Sequence, residues 1–268
     1  MKSINLFILI FLIHLPNAWC KKPLYEIGIA AGAGYISDYP GADQGRWRYI
    51  ALPSFAYRGN IIRQDKRRTR ARFFKSERLD IDLSFGASFP ANSKDNKARE
   101  GMSDLDWLGE MGPRVNISFF EDDLHRLELE LPVRAVASTD FKFTRQRGFR
   151  FYPQLDYTIK LNDKFRINTS LKMNWGSEEL TDYFYEVTPQ DATLEREEFD
   201  AKAGYLGSAV SVSTYYRYQK LFYGLGLRYS RFDNATNETS PLFQRTEDLT
   251  VFFAFNYFFY QSKEKGTK

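Results

Sequence analysis

The chain has 268 residues, 38 Lys and Arg against 34 Asp and Glu, and a net charge of +4. That excess is too small and too dispersed to imply a nucleic-acid partner, and none is expected. With 27% charged residues and a mean hydropathy of −0.49, no stretch beyond the N-terminal one approaches the roughly 20 apolar residues of a spanning helix. A membrane β-barrel is still allowed, because it places its apolar residues at every second position.

The N-terminus has the layout of an export signal: Lys2, an apolar run from Leu6 to Leu15, then Pro16 and a polar break. Ala18 and Cys20 put small residues at −3 and −1 of a cut before Lys21, so residues 1–20 are expected to be removed. A rival reading makes Cys20 a lipoprotein cysteine, but Trp19 before it is too bulky for that processing. Once Cys20 is gone the exported chain has no thiol. Barrel closure, which satisfies every strand edge, then supplies the stability that disulfides give other exported proteins.

Alternation of period two predicts strands over 24–35, 47–58, 78–89, 107–119, 125–137, 148–160, 164–175, 205–219, 221–232 and 249–260. The fifth is the clearest, with Leu127, Leu129, Leu131, Val133, Ala135 and Ala137 alternating with Arg126, Glu128, Glu130 and Arg134. The last carries Phe252, Phe253, Phe255, Tyr257, Phe258, Phe259 and Tyr260, a face that would aggregate in water. The expected fold is all-β, a transmembrane antiparallel up-and-down β-barrel over 21–260. Ten strands are preferred and twelve are possible. A charged C-terminal tail, 261–268, follows.

Segments 121–124, 161–163 and 219–220 read as tight turns. Segments 36–46, 91–106, 138–147, 176–204 and 233–247 read as longer, polar external loops. Parity places residues 59–77 on the periplasmic side. There Arg63, Lys66, Arg67, Arg68, Arg70, Arg72 and Lys75 form a candidate docking surface for an acidic protein or anionic lipid. An extra hairpin, raising the count to twelve, explains the same segment.

The polar faces carry charges of both signs. Arg78, Asp80, Asp82, Glu110, Arg114, Arg126, Glu128, Glu130, Arg134, Arg150, Asp156, Lys164, Arg166 and Lys172 are expected to point into the lumen. They form either an interlocking ion-pair network that fills a narrow barrel or the lining of a small, mildly cation-repelling pore.

Catalytic parts are scarce. Of the two histidines, His14 lies in the signal and His125 sits beside the acidic turn Glu121-Asp122-Asp123, which is the composition of a solvated turn. Asp191, Glu195, Glu197, Glu198 and Asp200 make an acidic loop with no fixed coordination geometry. No enzyme activity, cofactor or metal site is expected.

Gly28-Ile-Ala-Ala-Gly-Ala-Gly-Tyr35, then Asp38-Tyr-Pro-Gly-Ala-Asp43, then Leu52-Pro-Ser-Phe-Ala-Tyr-Arg-Gly59 resemble the opening of the MltA-interacting protein (MipA/OmpV) family. The resemblance implies a barrel in the outer membrane of a Gram-negative cell, among lipid and lipopolysaccharide. It also implies a scaffold that joins a murein-cleaving lytic transglycosylase to a murein synthase. Other members are linked to adhesion, osmotic response or antibiotic stress, so a channel or a surface adhesin stands as the alternative. The family has no catalytic motif, and no site residues carry over. Members tend to end on an aromatic residue, whereas this chain continues past Tyr260 with a charged tail.

Overall fold

Wherever apolar and polar residues alternate in this chain, a strand forms. The computed structural model describes residues 23–57, 63–65, 68–70, 72–75 and 78–264. The signal segment 1–20, Lys66, Arg67 and the end of the tail, 265–268, lie outside the described residues. The elements are β1 (Tyr25–Ser37), β2 (Gly45–Tyr57), β3 (Arg63–Asp65), β4 (Arg68–Arg70), β5 (Arg72–Lys75), β6 (Leu79–Ser88) and β7 (Trp107–Glu121). They continue with β8 (His125–Thr139), β9 (Thr144–Phe151), β10 (Gln154–Lys160), β11 (Phe165–Gly176), α1 (Glu178–Tyr185), β12 (Gly204–Tyr218), β13 (Leu221–Arg231) and β14 (Glu247–Gln261).

Twelve of these strands make one sheet in the order β2-β1-β14-β13-β12-β11-β10-β8-β7-β6-β5, with β9 joining β8 and β11. Every ladder is antiparallel. The first and last long strands pair, Ala31 opposite Phe255, as an up-and-down barrel requires. On the other side β3 lies beside β2 and β4 beside β6, which carries the wall round.

All ten predicted strands are present, and the described residues of 59–77 form the further strands β3, β4 and β5, so the preferred count of ten is corrected upward. Arg63 is opposite Arg70 and Asp65 opposite Arg68 in the β3–β4 ladder. In β5, Arg72 is opposite Asp82 and Lys75 opposite Asp80, so this part of the basic segment belongs to the wall. The predicted sixth strand is divided into β9 and β10 at Tyr152–Pro153, where Pro153 has no N–H to give the ladder. Hydrogen bonding continues past the break through the Pro153 carbonyl, which accepts from Met173 N–H at 3.2 Å.

The expected loop 138–147 is corrected to a hairpin turn over 140–143, because β8 and β9 both extend further than their alternation indicated. The Asp140 carboxylate accepts the backbone N–H groups of Lys142 and Phe143 at 2.9 and 2.7 Å. These bonds stabilise a tight reversal and hold the Asp140 carboxyl below its usual range. The tail begins in order too: Gln261 ends β14, Ser262 N–H bonds the Tyr25 carbonyl, and Leu24 N–H bonds that of Glu264.

The two faces of the wall are inverted relative to a water-soluble protein. Outward Phe85 is 59% exposed while inward Asp82 is 0% exposed. Rings form a belt near the long-loop end, through Tyr35–Trp47–Tyr49, Phe89–Trp107–Phe141 and Phe151–Trp175–Tyr205. At the short-turn end Tyr25 stacks on Tyr260 and His125 on Tyr157. An apolar band between aromatic girdles is the surface a bilayer solvates.

The hydrophobic core lies at the long-loop mouth. Tyr39, Ala42, Ala91, Met102, Leu105, Leu180, Phe184, Tyr185, Val187, Ala201 and Leu242 pack into one cluster over Leu108, Val136 and Leu206 of the wall. The expectation that segments 36–46, 91–106, 176–204 and 233–247 are merely polar, solvated loops is therefore corrected. Their apolar residues are sparse and aperiodic in sequence, but they converge in space to form a cap.

Candidate functional site

The half of the lumen nearest the short turns is filled with paired charges. Arg114 on β7 donates from Nε and Nη2 to Asp82 on β6 at 2.9 and 2.7 Å, and from Nη1 to Glu130 on β8 at 2.9 Å. All three side chains are almost wholly buried. This fork-on-carboxylate geometry uses arginine's planar donors on two acceptors. Arg126 pairs with Glu128 at 2.6 Å, and Arg217 with Glu26, which also accepts from Gln261. Asp156 accepts from Gln154 and Asn168, and Arg166 lies over the Tyr215 ring.

Most predicted lumen residues therefore meet inside the wall. Asp80, Asp82, Glu110, Arg114, Arg126, Glu128, Glu130, Arg134, Arg150, Asp156, Arg166 and Lys172 are buried or half-buried. Arg78, which precedes β6, and Lys164, in the turn before β11, are exposed at the rim instead. Alternation continues past the last residue that the wall can cover. Sequence reasoning passed over Glu26, Arg217 and Arg228, although each sits at an inward position of a predicted strand.

Nearer the cap the balance changes. Glu110 on β7 is shared by Arg150 at 2.7 Å and Arg134 at 3.4 Å. The Tyr152 ring is flanked by the Arg134 guanidinium at 4.8 Å and the Lys172 ammonium at 5.1 Å. These side chains border a cavity of about 570 Å³. A second, of about 420 Å³, lies against the cap and shares Arg150, Lys172, Asn174 and Arg228 with the first.

The cap is organised around Asp38. Its side chain is fully buried and binds Arg46 through two bonds of 2.8 and 2.6 Å, Arg48 at 3.0 Å and Asn96 at 3.1 Å. Tyr39 Oη donates to the Leu242 carbonyl at 2.7 Å. Gly41 has φ +83°, and a Cβ there would press on the Phe243 ring at 3.0 Å, so the position requires glycine. Buried arginines join the other loops. Arg99 donates to the carbonyls of Phe184 and Ser103, and burial lowers its pKa. Arg196 donates to those of Ala98, Glu100 and Asp191. Burial also pushes the Tyr185 hydroxyl upward.

The remaining candidates have structural partners. Tyr157 and His125 share a hydrogen bond of 2.8 Å. The Asp122 carboxylate accepts the backbone N–H groups of Leu124 and His125. Glu195, Glu197 and Glu198 are exposed, Asp191 accepts from Thr188 and Asp200 pairs with Lys202. Among the described residues, no group of three or more His, Cys, Asp or Glu side chains is placed to hold a metal ion.

The profile of the MltA-interacting protein MipA family matches residues 29–259. No curated protein matches the sequence at a significant level. Solved structures with a similar strand layout include the NanC porin, at 9% identity and TM-score 0.41, covering 85% of this chain and 98% of that one. An outer-membrane channel from Pseudomonas putida F1 matches at 9% and 0.41, covering 91% and 100%. The outer-membrane protein OprG from Pseudomonas aeruginosa matches at 10% and 0.27, covering 90% and 98%.

Proposed function

Because this chain belongs to the MltA-interacting protein MipA family and is an outer-membrane β-barrel, we propose that it serves as a non-enzymatic scaffold that holds murein-acting enzymes at the membrane's periplasmic face. The observation that carries this reading is the obstructed bore. The Arg114–Asp82–Glu130 ion pairs are buried inside the wall, and the loop cluster around Tyr185 and Leu242 packs at the long-loop mouth. A free-running solute channel needs a continuous wet path, which this packing opposes. A rigid, closed wall instead suits a platform whose contacts lie outside the lumen. The family's name supplies the class of partner, a murein-cleaving enzyme.

Detergent-solubilised protein is expected to retain a murein lytic transglycosylase in a pull-down at low salt. Neutralising Arg67, Arg68 and Arg70 together should release it, since clustered cations attract acidic surfaces over a screened range. No retained partner at low salt would refute the proposal. In planar bilayers with verified insertion the same protein should be silent, whereas discrete conductance steps would favour the channel reading.

A further inference from the structure

We propose that the lumen holds a binding site for a small organic anion. Its oxyanion would sit at the junction of the two cavities among Arg150, Lys172 and Arg228, and its apolar body in the chamber beneath the cap.

Charge imbalance is the first argument. Arg134 and Arg150 both draw on Glu110. Lys172 and Arg228 have no carboxylate within ion-pair distance among the described residues, although both line the cavities. Arg228, Arg150 and Arg134 all act on the Lys172 ammonium, with Glu110 the opposing carboxylate among them. Asp248 attracts Arg228, but it is already engaged by Ser37 and Thr250 and faces Arg245 at 3.7 Å. Confined like charges in a low-dielectric interior are costly unless a counter-charge joins them.

Donor geometry is the second. The Nε groups of Arg150 and Arg228 are buried with no hydrogen-bond partner, although buried donors are nearly always satisfied. Those Nε atoms have no exposed surface and do not themselves face the cavities, but both residues border the junction, where a tetrahedral or planar oxyanion can accept from more than one donor. The third argument is shape. The cap-side cavity has an apolar side of Phe89, Phe184, Leu206, Phe232 and Phe252, with Asp38, Asp106 and Asp248 elsewhere on its lining, and the other cavity is bordered by Glu110, Arg134 and Arg150. An aromatic side in one chamber, next to the cations of the junction, fits a ligand with one ring or short chain and one anionic head, and the volumes suit a small molecule. This site is independent of the scaffold reading.

Phenyl phosphate is the probe, titrated calorimetrically into the full-length protein in a non-ionic detergent. Saturable binding is expected, about tenfold or more tighter than that of benzyl alcohol, which keeps the ring and lacks the oxyanion. K172Q and R228Q should each weaken it by about tenfold, while K202Q, on an exposed part of the cap, should leave it unchanged. The heat-modifiable gel shift verifies that each variant is folded. No saturable binding to wild type, benzyl alcohol binding as tightly, or unchanged affinity in both folded lumen variants would each overturn the proposal. The comparison of the two probes on wild type decides the matter even where a variant fails to fold.

Discussion

The Tyr185 hydroxyl donates to the Pro40 carbonyl at 3.0 Å, joining the end of α1 to the turn that follows β1, 145 residues away. The same turn receives Gln244 and Arg245 N–H at the Gly41 carbonyl. The Asp38-Tyr-Pro-Gly-Ala segment is thus the point at which separate loops are tied into one cap. Its aspartate binds cations, its tyrosine spans to Leu242, and its glycine admits the Phe243 ring.

Asp38→Ala should loosen this cap while the barrel stays intact. Arg46, Arg48 and Asn96 would lose a shared acceptor. The local cost is about 2–4 kcal/mol, below the usual value for a fully buried pair because Arg46 is partly exposed. Limited proteolysis should then cut within 89–106 and 233–246 while the folded-form gel mobility is retained. A cleavage rate equal to wild type would contradict the assignment of Asp38 as the hub.

Arg114→Met should act on the barrel itself. The substitution fills similar space but removes from Asp82 and Glu130 the buried guanidinium they share, at a cost of up to about 3–5 kcal/mol. The temperature at which the folded band converts to the unfolded one should fall. The double variant R114M/D82N should recover part of that loss, because one of the two carboxylates that Arg114 bridges is then neutral. No recovery would mean that the carboxylates find other partners.

The wall was legible in sequence because its physics is periodic. Leu127 to Ala137 alternate with Glu128, Glu130 and Arg134, with only Pro132 and Val136 uncharged between them, so the facing of β8 could be stated residue by residue. The cap was not legible. Tyr39, Met102, Leu105, Tyr185 and Leu242 are scattered over polar stretches and cluster only once the barrel sets their loops side by side. The basic stretch 59–77 left its two readings open because Arg and Lys occur on a strand's outer positions as readily as in a solvated turn. Charge pairing was legible in kind but not in partner: that Arg114 takes Asp82 and Glu130 depends on register across three strands.

Facing in the wall can be tested directly. Leu129, Ile81, Phe151 and Ile167 should contact lipid, and Glu128, Asp80, Arg150 and Arg166 the lumen. Leu129→Arg should cost about 2–4 kcal/mol if the residue lies near the bilayer midplane, and Glu128→Arg should not follow that depth dependence. Single cysteines at the first set should react with a lipid-soluble maleimide and be shielded from a charged one. A reversed pattern would require the strands to be turned over.

The cap should tighten on mild acidification. Burial, then the neighbouring Glu186, Glu178, Asp200 and Glu179, raise the Asp182 carboxyl on α1 from its ordinary 3.8 to about 6. A raised carboxyl means that the folded state binds the proton more tightly than the unfolded one. Stability therefore falls as pH rises from about 4 to 6, and the cost is fully present above that window. Asp95 and Glu179 shift the other way, lowered chiefly by the side chains of Asn92 and Ser177, and their contributions begin to fail only as pH drops below about 4.5. Between pH 7.5 and 5 Asp182 is thus the carboxyl on α1 that changes. Hydrogen exchange of the α1 amides, corrected for intrinsic rates, should slow as pH drops across that interval. Asp182→Asn should give slow exchange at both values. A wild-type α1 equally protected at pH 7.5 and 5 would show that Asp182 ionises without cost in the folded cap.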